Sequence, residues 1–449
     1  MRVLKFGGTS VKDAEAMQRV ENILEQFTGK LIVVLSATSG TTNILLEMLT
    51  FASKGILEEA QKLKNESKKR HFEIIEKLGL MSSNSLIEEI EGVFQNLESL
   101  LKGVYYLRET TERASDVAIS FGEIISTKIF TEYLKAKNKK CVWFDAREVI
   151  ITSKDSQNSP SLVRIKNASQ LKISPLFHEN DLIITQGFIA KDENEIPTTL
   201  GRGGSDLTAS LLGNALEAEA IEIWTDVSGV MTVDPRTVET AFAQKELSFK
   251  EAAELAYFGA RVLHPRTIQP AMDKNIPVWV KNTLLPNDFG TLITNESKNI
   301  KTVKAIAFRK NITVITVQST GMFMAHGFLE KLFQIFSKYE IAIDLISTSE
   351  ITVSLTIDDT KNLEKAKIEL EELAKVRVME NLSIIALVGE EIKNSEGFLK
   401  KVFTALDKIP IEMISFGASN VNLSLVLPNV NLNEAVRKLH KELFEKEDL

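Results

Sequence analysis

Apolar residues arrive in two rhythms along this chain, and the switches between them outline its elements. Residues 3–6 form a short apolar run that reads as a strand. Apolar positions at helical spacing follow at Val11, Ala14, Met17, Val20, Ile23, Leu24 and Phe27. A second apolar run over 31–35 reads as a buried strand, and from 43 to about 136 the pattern is almost wholly helical. Strands return at 141–144 and 181–185, followed by a helix over 207–216, a strand over 220–224, a helix over 249–257 and a strand over 278–281. Apolar strands alternating with helices predict an α/β unit with an open, mostly parallel sheet sandwiched by helices.

Beyond a polar linker at 295–299 the texture changes to short strands and two helices, and the segment repeats. Gly327-Phe328-Leu329-Glu330-Lys331-Leu332-Phe333 recurs as Gly397-Phe398-Leu399-Lys400-Lys401-Val402-Phe403. Ile343-Asp344-Leu345-Ile346-Ser347 recurs as Ile411-Glu412-Met413-Ile414-Ser415. Each copy reads strand–helix–strand–strand–helix, which resembles the ferredoxin-like α+β ACT domains, modules that bind amino acids. The first copy has a final strand near 376–379, whereas the second ends in a helix over 432–444. The unpaired strand at 302–308 is expected to complete the second sheet, so the modules interleave. The expected domains are 1–294, then 312–380, then 300–311 with 381–449.

Candidate chemistry sits where strands meet glycine. Lys5-Phe6-Gly7-Gly8-Thr9-Ser10 carries a strand into a Gly-Gly turn and a helix start, a setting that lets backbone N–H groups approach an anion. Ser36 to Asn43 repeats that grammar after the second strand, and two such turns at strand ends build a ligand crevice in an open α/β sheet. Ser120-Phe121-Gly122-Glu123 places a carboxylate among apolar neighbours; a structural salt bridge and a substrate ammonium are both open as its partner. Leu200-Gly201-Arg202-Gly203-Gly204-Ser205-Asp206 offers a flexible backbone, a bidentate guanidinium, and Ser205 and Asp206 at an expected N-cap. It fits neither the dinucleotide fingerprint nor a P-loop. Asp288-Phe289-Gly290 lacks the other protein-kinase motifs and reads as chance.

A net charge of −7 argues against a nucleic-acid binder, and no apolar run reaches the length of a membrane span. Cys141 is the single cysteine and reads as an inert buried thiol. The scattered histidines have no metal-ligand spacing, and His264 before Pro265 reads as a helix-end hydrogen bonder. The charged stretch 62–70 reads as a solvated helix face. A cytoplasmic location is the expectation.

The string Lys5-Phe6-Gly7-Gly8-Thr9-Ser10-Val11, with the motifs above, resembles the aspartate kinases of the amino-acid kinase superfamily over essentially the whole chain. That resemblance implies ATP and Mg²⁺, with L-aspartate phosphorylated on its β-carboxylate as the first step towards lysine, threonine and methionine. It implies Lys5, Gly8 and Asp206 as catalytic, with Asp206 orienting Lys5. Ser36, Thr42, Glu123, Phe188, Arg202 and Ser205 match positions that hold aspartate. Lys5, Gly7, Gly8, Thr9, Ser10, Thr225, Asp226, Met231, Arg236 and Arg261 match the nucleotide pocket. Many members carry Tyr at the place of Met231 and Lys at that of Arg261, which implies altered nucleotide affinity with activity retained. Met322, Gly327, Phe328, Asp344, Thr348, Ser349 and Glu350 match the pattern of lysine-inhibited members, with threonine as the second candidate. The family's effector sites imply a homodimer through the ACT domains, and the chain's end implies no fused dehydrogenase. A sister kinase for glutamate, acetylglutamate or uridylate, or a catalytically silent sensor, is the competing reading.

Overall fold

Leu31–Leu35 is buried at every position, which a strand achieves only when both faces of its sheet are covered. The structure, a computed structural model, describes residues 1–152, 160–259, 263–297, 302–322 and 326–445. It divides into two units, Met1–Val230 with Val262–Ser297 and Met231–Arg261 with Lys298–Leu449.

Among the described residues of the first unit, seven strands form one sheet. Their order is Cys141–Phe144, Leu182–Gln186, Leu31–Leu35, Arg2–Phe6, Ala220–Thr225, Val278–Asn282, Thr291–Thr294. Neighbours are parallel except the last pair, which is antiparallel. Successive side chains of Arg2–Phe6 alternate between faces. Leu4 and Phe6 join an apolar cluster with the helices Ala14–Leu24, Thr41–Ser53, Leu57–Lys77, Asn84–Leu107 and Glu112–Ala136. Val3 and Lys5 therefore face the other way, and the helix Gly204–Ala215 packs on this same strand. The charged stretch at 62–70 is more than a solvated face: Lys64 and Lys68 reach Glu98 and Glu91 on the next helix at 2.5 and 2.6 Å.

In the second unit, six strands among the described residues make one sheet. Their order is Ile346–Thr348, Thr352–Ile357, Ala305–Gln318, Lys375–Val388, Asn422–Pro428, Met413–Phe416. The separate short strands expected at 302–308 and 376–379 are instead parts of two continuous fourteen-residue strands. The first half, Ala305–Arg309, pairs with Ile384–Val388, and the second half pairs with Lys375–Leu382. A register shift between Arg309 and Val314 lets one strand serve both halves. Asn311 and Asn381, both with positive φ, mark that crossing point. Gly327 and Gly397, equivalent in the two repeats, both adopt left-handed conformations and precede the helices Phe328–Lys338 and Phe398–Ala405. The C-terminal helix is shorter than expected, Leu432–His440, and continues as a π-turn over Lys441–Glu445.

Packing places the segment 231–261 with this second unit. Its helix Phe249–Tyr257 starts at a capping box in which Ser248 and Glu251 bond reciprocally. Glu251 also accepts from the Glu390 N–H at 2.7 Å and from Lys304 Nζ at 3.1 Å, and both side chains of the ion pair are fully buried. Removing one member leaves an uncompensated charge in a low dielectric. Lys304→Met is expected to destabilise this unit by about 3–5 kcal/mol, read as a lowered urea midpoint, with Lys304→Met/Glu251→Gln recovering part of the loss.

Candidate active site

Because the central strands are parallel and in register, their C-terminal ends lie level: Leu35 pairs with Gln186 and Phe6, and Phe6 with Trp224. The turns that follow are thus gathered along one edge, on both sides of the strand Arg2–Phe6 where the order reverses, which is where open α/β sheets bind ligands. Three of those turns touch. Ser39 N–H donates to the Gly8 carbonyl at 3.1 Å, and a Cβ on Gly8 would stand 2.8 Å from the Ala37 carbonyl oxygen. A Cβ on Gly187 would stand 2.5 Å from that of Ser205. Glycine is required at both places by backbone proximity.

The helix Gly204–Ala215 begins three residues earlier than expected. Its N-cap is Gly203, in the left-handed region at φ 72°, so Ser205 and Asp206 occupy the first turn and not the cap. That turn carries both side chains inward. Ser36 Oγ donates to Ser205 Oγ at 2.9 Å, and Lys5 Nζ lies 2.6 Å from Asp206 Oδ1, an ion pair off the line of a hydrogen bond. Phe188 holds a left-handed backbone, φ 71°, with its N–H donating to Thr208 Oγ1 at 3.0 Å. A phenylalanine at positive φ is a strained choice that a framework must enforce.

Glu123 enters from the helix Glu112–Ala136. Gly122 lets that helix close on the second turn, since a Cβ there would meet the Ala37 Cβ at 2.9 Å. Ser126 Oγ donates to the Ser36 carbonyl at 2.8 Å. Glu123 is 3% exposed, and among the described residues its Oε2 has no hydrogen-bond partner and no cation pairs with it. Burial pushes its carboxyl up to about 8, against a hydrogen bond from the Ala37 backbone. Between the two partners open from sequence, no salt bridge is formed among the described residues. Arg202 is exposed on the same Gly-rich stretch, with no carboxylate partner among the described residues.

The remaining candidates fall in several places. Thr42 is half-buried at the start of the helix Thr41–Ser53, and Thr9 is exposed beside Gly8. Ser10 turns inward, its hydroxyl 3.1 Å from Thr283 Oγ1, and Thr283 donates to the Thr225 carbonyl. Thr225 Oγ1 donates to Asp226. Met231 and Arg236 belong to the second unit, where Met231 bridges Ala243 and Arg236 is paired with Asp234. Arg261 lies outside the described residues. His264 caps the helix Pro265–Asp273, its side chain accepting from the Arg266 N–H, and Cys141 is buried with its thiol pushed up to about 11. Sequence reasoning missed Thr208, Thr283 and the Asp116 carboxylate that accepts from Thr199 Oγ1 at 2.9 Å; single hydroxyls give no periodic signal.

In the second unit, Asp344 accepts from Tyr257 Oη at 2.9 Å and from Arg309 Nη1 at 3.0 Å through Oδ1. Its Oδ2 is buried without a hydrogen-bond partner, and burial raises its carboxyl. Met322 and Phe328 pack at the edge of the neighbouring core, while Thr348, Ser349 and Glu350 are exposed. Among the described residues, no group of three or more His, Cys, Asp or Glu could hold a metal ion, and no helix is long and apolar enough to cross a membrane.

Comparison with known proteins adds three findings. The amino acid kinase family matches residues 1–282, and the ACT domain matches 315–373 and 385–443. The chain is 39% identical to the lysine-sensitive aspartokinase 3 of Escherichia coli K12, covering 99% of both chains. It is similar to crystal structures of E. coli aspartokinase III at 38% identity. The complex with aspartate and ADP gives a TM-score of 0.86 over 99% of this chain and 100% of that one. The complex with lysine and aspartate gives 0.80 over 99% of each.

The Glu123 carboxyl moves from an ordinary 4.5 to about 8 in the folded chain. Within that window the folded state keeps a proton that the unfolded state has released, so ligand-free stability falls as pH rises through it. Glu123→Gln abolishes the titration. In thermal melts without ligand it is expected to exceed the parent protein by several degrees near pH 8 and to converge with it towards about pH 5.

Proposed function

The chain belongs to the aspartokinase family and is a kinase, and from that premise we propose that it transfers the γ-phosphoryl group of ATP to the β-carboxylate of L-aspartate. The observation that carries this reading is the buried Glu123 carboxylate with one oxygen unanswered, beside the Ser36–Ser205 contact and the Lys5–Asp206 pair. An ammonium docked there would supply the missing partner and favour the ionised form. Acetylglutamate and uridylate have no such ammonium, which disfavours those two sister kinases, whereas glutamate carries one and is separated by the assay below. The exposed Arg202 fork suits the α-carboxylate, with Thr42 and Phe188 completing the acceptor's contacts.

The β-carboxylate, with an ordinary pKa of about 4, is already ionised and needs no general base. One of its oxygens attacks the γ-phosphorus as the bond from that phosphorus to the β,γ-bridging oxygen breaks, and the electron pair leaves with ADP. Products are 4-phospho-L-aspartate and ADP. Lys5, held by Asp206, supplies positive charge where the phosphoryl group passes, and the Gly8 and Thr9 N–H groups face its oxygens, those of Gly7 and Ser10 being donated to the Trp224 and Gly7 carbonyls. For the nucleotide the family pattern adds Thr225, Asp226, Met231, Arg236 and Arg261. Mg²⁺, implied by the family resemblance, would supply charge neutralisation for the nucleotide phosphates.

In the second unit, the unanswered Oδ2 of Asp344 favours a cationic effector. We assign lysine, which carries a side-chain ammonium that threonine lacks, with Met322, Gly327, Phe328, Thr348, Ser349 and Glu350 around it. The module division at 312–380 and at 300–311 with 381–449, a homodimer through the ACT modules, a cytoplasmic location and a place at the head of lysine, threonine and methionine synthesis complete the proposal.

An ADP-release assay over aspartate, glutamate and acetylglutamate is expected to show turnover on aspartate, and preference for acetylglutamate refutes the assignment. Lys5→Ala should lower kcat at least about 10³-fold with unchanged melting; near-normal turnover removes its role. Asp344→Asn should raise the lysine concentration for half-inhibition by about tenfold or more, a loss on the scale of one charged hydrogen bond. Unaltered lysine inhibition in that variant would sink the effector assignment.

A further inference from the structure

The second turn is held from beneath by a histidine that neither motif includes. His71, on the helix Leu57–Lys77, is fully buried, with Phe94 at 6.1 Å between ring centres. Its Nδ1 lies 2.7 Å from the Ser67 carbonyl oxygen, and its Nε2 lies 3.1 Å from Thr38 Oγ1. Thr38 Oγ1 in turn lies 2.6 Å from Thr41 Oγ1, and both threonines are 1% exposed.

The chemistry of these atoms fixes the direction of every proton. A carbonyl oxygen only accepts, so Nδ1 carries the ring proton. Burial holds the imidazole neutral, pushing its pKa down to about 4. Nε2 is therefore a bare lone pair, and Thr38 must donate its single hydroxyl proton to it. Thr38 then has only lone pairs left for Thr41, which must donate. The result is a one-way chain from Thr41 through Thr38 and His71 to the Ser67 carbonyl. It begins inside the turn that carries Ser36, the Ala37 N–H bonded to Glu123, and Thr42.

We propose that His71 is a positioning residue for the acceptor amino acid: its Nε2 lone pair anchors Thr38 and Thr41, and through them sets the placement of Ser36, Ala37 and Thr42. This rests on the reading of that turn as the aspartate site. His71 is fully buried and reaches the site only through Thr38, so it acts through the turn that the proposed function assigns to the acceptor.

Steady-state kinetics on the full chain tests this. His71→Asn can keep the Ser67 contact but cannot reach Thr38, whereas His71→Gln places an amide oxygen where Nε2 was. His71→Asn is expected to raise the aspartate KM about fivefold or more while the ATP KM and kcat stay within about twofold, and His71→Gln to return the aspartate KM to within about twofold of the parent. Thr38→Val should reproduce the His71→Asn effect, and combining the two should add little, because both cut one chain. A lowered melting temperature with aspartate and ATP KM values moving together assigns His71 a merely structural role and overturns the inference. Thr42→Val separates the two levels. If it raises the aspartate KM while His71→Asn and Thr38→Val do not, the His71 inference alone fails. If Thr42→Val leaves that KM unchanged, the reading of the turn fails with it. Should His71→Asn not fold, Thr38→Val decides by the same criterion.

Discussion

Lys5 meets Asp206 at 2.6 Å only because of the parity of one strand. Arg2–Phe6 lies between two parallel neighbours, with Lys5 level with Val34 on one side and Ile223 on the other. Its even positions, Leu4 and Phe6, are spent on the helical core, and its odd positions face the opposite side. A slip of one residue would drive an ammonium into that core and turn Phe6 towards the ligand edge. The same register sets the Ser36 and Gly187 turns level with Gly7, so the site follows from strand pairing before any loop is considered.

Against that register, the glycines do a different job from the one their sequence spacing implies. Gly8 and Gly187 stand where backbone or side-chain atoms of another turn come within 2.8 and 2.5 Å of an added Cβ. Gly204 is similar, since a Cβ there would meet the Phe188 ring at 2.6 Å. Contact between segments demands these glycines, and room for an anion follows from it. This close packing also accounts for Phe188: the turn after Leu182–Gln186 must clear Gly204 and still deliver its N–H to Thr208, and the left-handed backbone does both.

Much of this was legible in the chain, and the misses share a cause. Strands buried on both faces and long amphipathic helices leave a strong periodic trace, and so do repeated segments such as those at Gly327 and Gly397. The early start of the helix at Gly204 was hidden because three glycines carry no periodicity, and helical phase became visible only at Leu207. The two fourteen-residue strands read as fragments because Lys310 and Asn311 in one, and Glu380 and Asn381 in the other, interrupt the apolar run where the register shifts. His71 was masked by the charges of Lys68, Lys69 and Arg70 beside it. A signal was present: Ser67, His71, Ile74 and Ile75 lie at i, i+4, i+7 and i+8, one buried stripe of that helix.

Unpartnered atoms distinguish the two candidate ligand positions from ordinary structure. Buried carboxylate oxygens are costly unless answered, and among the described residues three lack a hydrogen bond. Asp206 Oδ1 is answered by the Lys5 charge. Glu123 Oε2 has nothing, and Asp344 commits Oδ1 to Tyr257 and Arg309 while Oδ2 has nothing. Burial raises both carboxyls, so each unit carries one acid that folding alone leaves unsatisfied. At Glu123, which no cation answers among the described residues, a fold that only needed stability would gain by an apolar residue, whereas Asp344 is anchored to Tyr257 and Arg309 through one oxygen and leaves the other open. Two such costs, in units with separate cores, are accounted for together if each acid awaits an ammonium, the acceptor's in one unit and the effector's in the other.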